Sequence, residues 1–229
     1  MEAIYRIAEK NGSTGNKAWE ICMYYAAING HAMANFLIAR KEFLEWKPDM
    51  MMLYLRKAVE LKEPEAENFL AQYLFRFDQG TPVEIFKLYQ RAWQHGYVDA
   101  TAALSRCYWF GFGTARDQKK AFAMAKEYLE KYPEKSERYT AVKMIAGLGY
   151  LKFDKNKEKG LQLLQEPDTE LGVIVAECVY YYGLYGVPQS LGIHDFGGGL
   201  APHWAHLDVF EESYHNELEK KIKAVLFYQ

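Results

Sequence analysis

An all-α fold, a right-handed α-solenoid of stacked antiparallel helix pairs with a C-terminal capping helix, is what this sequence predicts. Three observations carry that expectation. Small residues recur at intervals of about thirty to forty positions, glycine turns fall at matching places between apolar helical stretches, and no strand-like alternation bounded by turn residues competes.

The recurring small residues are Ala3, Ala34, Ala66, Ala100, Ala141 and Gly172, separated by 31, 32, 34, 41 and 31 positions. Four places after each stands an apolar residue: Ile7, Ile38, Leu70, Leu104, Ile145 and Ala176. The next residue is again small (Ala8, Ala39, Ala71, Ser105, Ala146), until Glu177 breaks the rule. Alanines on one helical face let a neighbouring helix approach closely, so they mark contacts between stacked hairpins. One hairpin cannot bury its faces alone, whereas a stack buries them continuously.

The elements follow in order. Ala26-Ala27 lead into Gly30 and Ala34, and Arg91-Ala92 into Gly96 and Ala100. Between them, 49–61 and 82–95 read as the second helices of their pairs, with Pro82 in a first turn where its missing N–H costs nothing. A helix over 100–110 stops at Gly111-Phe112-Gly113, and Asp117 caps the next, which runs to Lys131. The polar, proline-containing stretch 131–135 accounts for the longest interval. The array is expected over 1–187, a Gly/Pro/His loop over 188–206 and the capping helix over 207–229, in a single structural domain. Asp208 and Glu211 form a capping box for that last helix, whose apolar face carries Phe210, Tyr214, Leu218 and Ile222.

The unit Ala100, Leu104, Ser105, Tyr108, Gly111, Gly113, Asp117, Lys120 and Ala121 resembles the Sel1-like repeat family, a relative of the tetratricopeptide repeat. Ser105 stands where that family has glycine. The segments from Ala26 to Ala34 and from Leu88 to Ala100 are similar to its joining segment, and Tyr180, Gly183, Gly186 and Val187 to a late repeat with one extra residue. The resemblance implies an adaptor or scaffold that binds another protein, and the expectation for this chain is a non-catalytic one with no cofactor. Some members are linked to cell-wall or β-lactam chemistry. Those are similar to disulfide-stapled hairpins with paired cysteines, a pattern that Cys22, Cys107 and Cys178 do not follow.

The 229 residues carry 28 Lys and Arg against 30 Asp and Glu, a net charge of −2 that leaves no basic footprint for nucleic acid. No run of about eighteen apolar residues is present to span a membrane. Met1-Glu2-Ala3-Ile4-Tyr5-Arg6 does not open like a secretory signal. With three well-separated cysteines in apolar stretches, these features suggest reduced, mostly buried thiols and a cytoplasmic location.

Catalytic signatures are few. No nucleophile elbow, phosphate loop, His-Glu-x-x-His or Cys-x-x-Cys occurs in the sequence. His203 and His206, three apart, with His194 and a carboxylate, are the candidate metal or acid–base cluster of an alternative, hydrolytic reading. A Gly/Pro-rich loop with solvated histidines explains the same residues. A second alternative is self-assembly through Tyr180, Tyr181, Tyr182 and Tyr185.

The repeat itself supplies a candidate binding surface. At about 100° per residue, positions 0, +4 and +8 from each anchor share a face, and +6 points nearly opposite, flanked by +2 and +9. That strip would line the concave side of the stack. It carries Arg40, Gln72 and Arg106 at +6, and Phe43, Phe75, Trp109, Tyr150 and Tyr181 at +9. Aromatic rings beside Arg and Gln match the composition of interface hot spots, although rings that merely fill gaps between hairpins would give the same pattern. A buried lone guanidinium is costly, so Arg40 and Arg106 are expected at the surface. The expected ligand is a peptide or helix of another protein, with homo-oligomerisation possible.

Overall fold

The computed structural model describes residues 2–10, 17–133, 140–154 and 156–165. They divide between two compact units, Met1–Ala100 and Thr101–Gln229. All regular structure among them is helical.

Unit 1 contains α1 (Glu2–Lys10), α2 (Lys17–Ile28), α3 (Ala32–Leu44), α4 (Pro48–Glu60), α5 (Pro64–Arg76) and α6 (Pro82–Gln94), then a 3₁₀ turn at Val98–Ala100. Each helix packs on its sequence neighbours, and α3/α4 and α5/α6 form the most extensive pairs. Unit 2 contains α7 (Thr101–Phe110), α8 (Gln118–Lys131), α9 (Thr140–Gly149), a π-helical turn (Tyr150–Asp154) and α10 (Lys157–Gln165). There α7 packs on α8, α8 on α9 and α9 on α10, with a further α7/α9 contact. This sequential packing is that of an α-solenoid.

Most of the small-residue spine is buried, but Ala3 is exposed and Ala141 is half-buried. Ala8, Ala34, Ala39, Ala66, Ala71, Ala100, Ser105 and Ala146 have no exposure, and Ala26, Ala58, Ala92, Ala121 and Ala125 on the second helices match them. Ile38, Leu70, Leu104 and Ile145 fill the +4 sites in full or nearly full burial. Each contributes about 1.5–3 kcal/mol of transfer free energy. Ile7 departs from the expectation: it is 51% exposed on the first helix of the array.

The ends of α2 to α7 follow one rule. These six helices close in a Schellman motif, in which the N–H two residues past the C-cap reaches back five positions. The bonds are His31 N to Ala26 O (3.0 Å), Lys47 to Glu42 (3.0 Å), Glu63 to Ala58 (3.0 Å), Gln79 to Leu74 (3.0 Å), Tyr97 to Ala92 (2.9 Å) and Phe112 to Cys107 (2.9 Å). The residue before each donor is left-handed. Glycine supplies it at Gly30, Gly96 and Gly111, but Trp46, Lys62 and Asp78 occupy it at φ +56°, +60° and +52°. Starts are equally regular. Pro48, Pro64 and Pro82 open their helices, Thr81 accepts from Glu84 N at 3.2 Å, and Asp117 accepts from Lys120 N at 3.0 Å.

No helix among the described residues is long and apolar enough to cross a membrane. The expected unit starting near 172, the 188–206 loop and the 207–229 helix lie outside the described residues.

Candidate functional site

The repeat numbering brings Arg40 and Phe43 onto one face of α3, one turn apart, and Gln72 and Phe75 onto α5. Arg40 and Gln72 are exposed, Phe75 is half-buried and Phe43 is 38% exposed. The Phe43 ring meets Phe69 edge-on at 5.6 Å and Tyr73 at 6.4 Å. Tyr73 continues to Phe77 at 4.6 Å, while Phe69 reaches Phe36 at 5.9 Å. Arg40 Cζ stands 5.8 Å over the Phe36 ring, which leaves its guanidinium at the surface beside the aromatic row. Edge-to-face rings at these separations are held by their quadrupoles as well as by burial, so the row is stiff.

Unit 2 corrects the rest of the strip. Trp109 and Tyr150 were expected to line an open face, but they are 1% and 4% exposed. Trp109 packs edge-on against Phe153 at 6.3 Å, and Tyr150 against Phe122 at 5.0 Å. At Gly149 the Phe122 ring closes with no room for a Cβ, so α8 sits tightly on α9 beside Tyr150, while Phe153 helps to enclose Trp109. Arg106 is half-buried rather than exposed. Tyr181, His194, His203 and His206 lie outside the described residues, as do Tyr180, Tyr182 and Tyr185.

Phe69, Tyr73 and Phe77 were not anticipated. Their i, i+4, i+8 spacing along α5 and its C-cap is visible in the sequence, but a search keyed to one offset per repeat passes over them.

The α3/α4 turn below this row is fixed by charge. Glu42 is buried, and Tyr24 Oη donates to its Oε1 at 2.6 Å. Lys41 Nζ lies 3.0 Å from Glu45, 3.5 Å from Glu20 and 3.6 Å from Glu42, and Lys47 reaches Glu45 at 2.6 Å. Burial, reinforced by the Glu42 hydrogen bond and charge, pushes the Tyr24 phenol up to about 12. Burial works against the Lys41 ammonium, but its hydrogen bond to Glu45 and the surrounding anionic groups outweigh it and raise its pKa. Glu63, also half-buried, is raised mainly by burial.

Among the described residues no group of three or more His, Cys, Asp or Glu side chains is placed to hold a metal ion. Cys22 and Cys107 are free thiols, and burial pushes Cys107 up to about 12.

No family model matches the sequence, and no curated protein matches it. The fold is similar to that in the crystal structure of a Sel1 repeat protein from Oxalobacter formigenes, which is 20% identical. The likeness has a TM-score of 0.56 and covers 83% of this chain and 82% of that one. The solenoid architecture that the repeat pattern resembles is therefore the architecture of this chain.

Proposed function

We propose that this protein is a non-catalytic adaptor that binds a segment of another protein on the first-helix face of unit 1. The observation that supports this reading is Phe43, partly exposed yet braced edge-on by Phe69 and Tyr73, one turn from the exposed guanidinium of Arg40. A preorganised ring beside a cation loses little side-chain entropy on binding, and such residues dominate interface energetics. The matching ligand has an apolar anchor for the Phe43–Tyr73 row and a carboxylate for Arg40, with Gln72 free to bond its backbone. The Sel1-type fold is consistent with this role without specifying it.

Selection from a random displayed-peptide library on the full chain tests the proposal. Enriched peptides should pair an aliphatic or aromatic residue with a nearby Asp or Glu, and should lose binding to the Arg40→Glu/Phe43→Ala variant at unchanged helicity. Peptides that bind that variant as well as the wild type would remove this face from consideration.

A further inference from the structure

The net charge of −2 conceals a division along the chain. Residues 101–165 carry 13 Lys and Arg against 7 Asp and Glu, residues 1–100 carry 12 against 13, and residues 166–229 carry 3 against 10. Part of the basic surplus gathers where α8, the π-helical turn and α10 meet. Lys126 Nζ, from α8, stands 5.7 Å from the Tyr150 ring centroid, and Lys159 Nζ, from α10, stands 4.7 Å from it. Lys152 Nζ, from the turn, lies 5.9 Å from the Phe153 ring and donates to Gln118 Oε1 at 2.8 Å. That bond brings it to the start of α8, next to the exposed Lys119. Phe122 joins the floor, 5.0 Å from Tyr150 and 6.2 Å from Phe153.

Three elements therefore set three ammonium groups around one aromatic floor. The rings hold the lysine side chains by cation–π attraction of about 0.5–1 kcal/mol each at exposed sites. The turn adds an independent sign: π-helical turns are rare and concentrate at functional sites. This one prolongs the first helix of its pair past the point at which α3 and α5 end relative to their anchors.

Acidic groups within the patch decide the class of ligand. A hydrogen bond to the Tyr150 side chain favours the charge of Lys159 most, nearby Glu130 and Asp154 add to it, and Glu127 pairs with Lys131 at 2.6 Å. A nucleic-acid duplex presents a negative charge about every 1.7 Å along its axis and would be driven against these carboxylates. A peptide with spaced acidic side chains avoids them. We infer that this face of unit 2 docks an acidic segment of a partner protein, whose carboxylates meet Lys126, Lys152 and Lys159 while an apolar side chain covers the half-buried Phe122 and Phe153. The surface shares no residue with the Arg40–Phe43 face, so neither proposal depends on the other.

Fluorescence anisotropy with the full chain and a fluorescein-labelled peptide of alternating Glu and Leu tests it. Binding should weaken as salt rises. It should fall about tenfold or more in Lys126→Gln/Lys152→Gln/Lys159→Gln, and stay unchanged in the unit 1 control Lys62→Gln/Lys87→Gln. Circular dichroism checks the fold; should the triple variant lose helicity, the exposed Lys152→Glu alone carries the comparison, with a several-fold loss expected. Salt-independent binding, or equal affinity in the variants, would overturn the inference. So would tighter binding of a DNA duplex of matched charge. A tenfold gain in peptide affinity in Glu211→Gln/Glu212→Gln/Glu217→Gln/Glu219→Gln would also overturn it, by making the chain's own acidic stretch the occupant.

Discussion

The Glu67 carboxylate on α5, with no exposure to solvent, lies 2.6 Å from the Arg91 guanidinium on α6. Its second oxygen meets His95 Nδ1 at 2.8 Å, and Arg91 also donates to Val59 O on α4 at 3.2 Å. One arginine thus joins three successive helices. Arg91→Met leaves a buried charge short of its main counter-ion, and a loss of about 2–4 kcal/mol is expected in urea unfolding. Glu67→Met/Arg91→Met should lose clearly less than Arg91→Met alone, because no charge is stranded. A double variant at least as unstable as the single one would contradict this account.

The Tyr24–Glu42 bond predicts an alkaline limit. Tyr24 is raised from about 10 in the unfolded chain to about 12 in the fold, so the fold favours its neutral form. The stability this supplies is fully present below pH 10 and is lost as pH rises toward 12. Tyr24→Phe should flatten the fall in thermal midpoint over that window. An identical pH profile in the variant would show that Tyr24 is not its source.

The three non-glycine residues at left-handed positions carry strain of about 1 kcal/mol each. Lys62 is exposed and Trp46 is 90% exposed, so Lys62→Gly and Trp46→Gly each lose little packing. Each should raise stability by about 0.5–1 kcal/mol in chemical denaturation. Gly96→Ala tests the converse. A Cβ there meets nothing within 4 Å, so a loss of about 1 kcal/mol would come from φ +98° alone.

Cys107 should be inert in the native protein. Buried, and with its thiol pushed up to about 12, it holds almost no thiolate at pH 8. Peptide mapping after brief alkylation should find the half-buried Cys22 modified well before Cys107, with Cys107 labelled only after denaturation. Equal labelling of both would mean that α7 opens readily.

Gly149→Ala should destabilise unit 2 by about 1–3 kcal/mol, since the new methyl group meets the Phe122 ring. Combining it with Phe122→Ala should recover part of that loss in thermal melts. Failure to recover any would place the close approach of α8 and α9 elsewhere.

Alanine positions, helix order and turn glycines were legible in the sequence because each is set by local geometry that repeats. Ala34, Ala66 and Ala100 are buried where the spacing placed them, and Asp117 caps α8 as expected. Turns at Trp46, Lys62 and Asp78 were not legible, because glycine is the usual sign of a left-handed residue and they lack it. Nor was the Glu67–Arg91 pair, whose partners come from different helices.

Chain chemistry alone determined a stack of helix pairs, since small residues recurring every thirty to forty positions favour close helix approach. Which rings reach solvent was decided by tertiary packing. Phe43 and Trp109 hold the same place in their repeats, yet one is 38% exposed and the other 1%. The difference arises from neighbours that no single helix specifies: Phe43 is braced from one side by the rings of α5, whereas Phe153 from the turn after α9 helps to enclose Trp109.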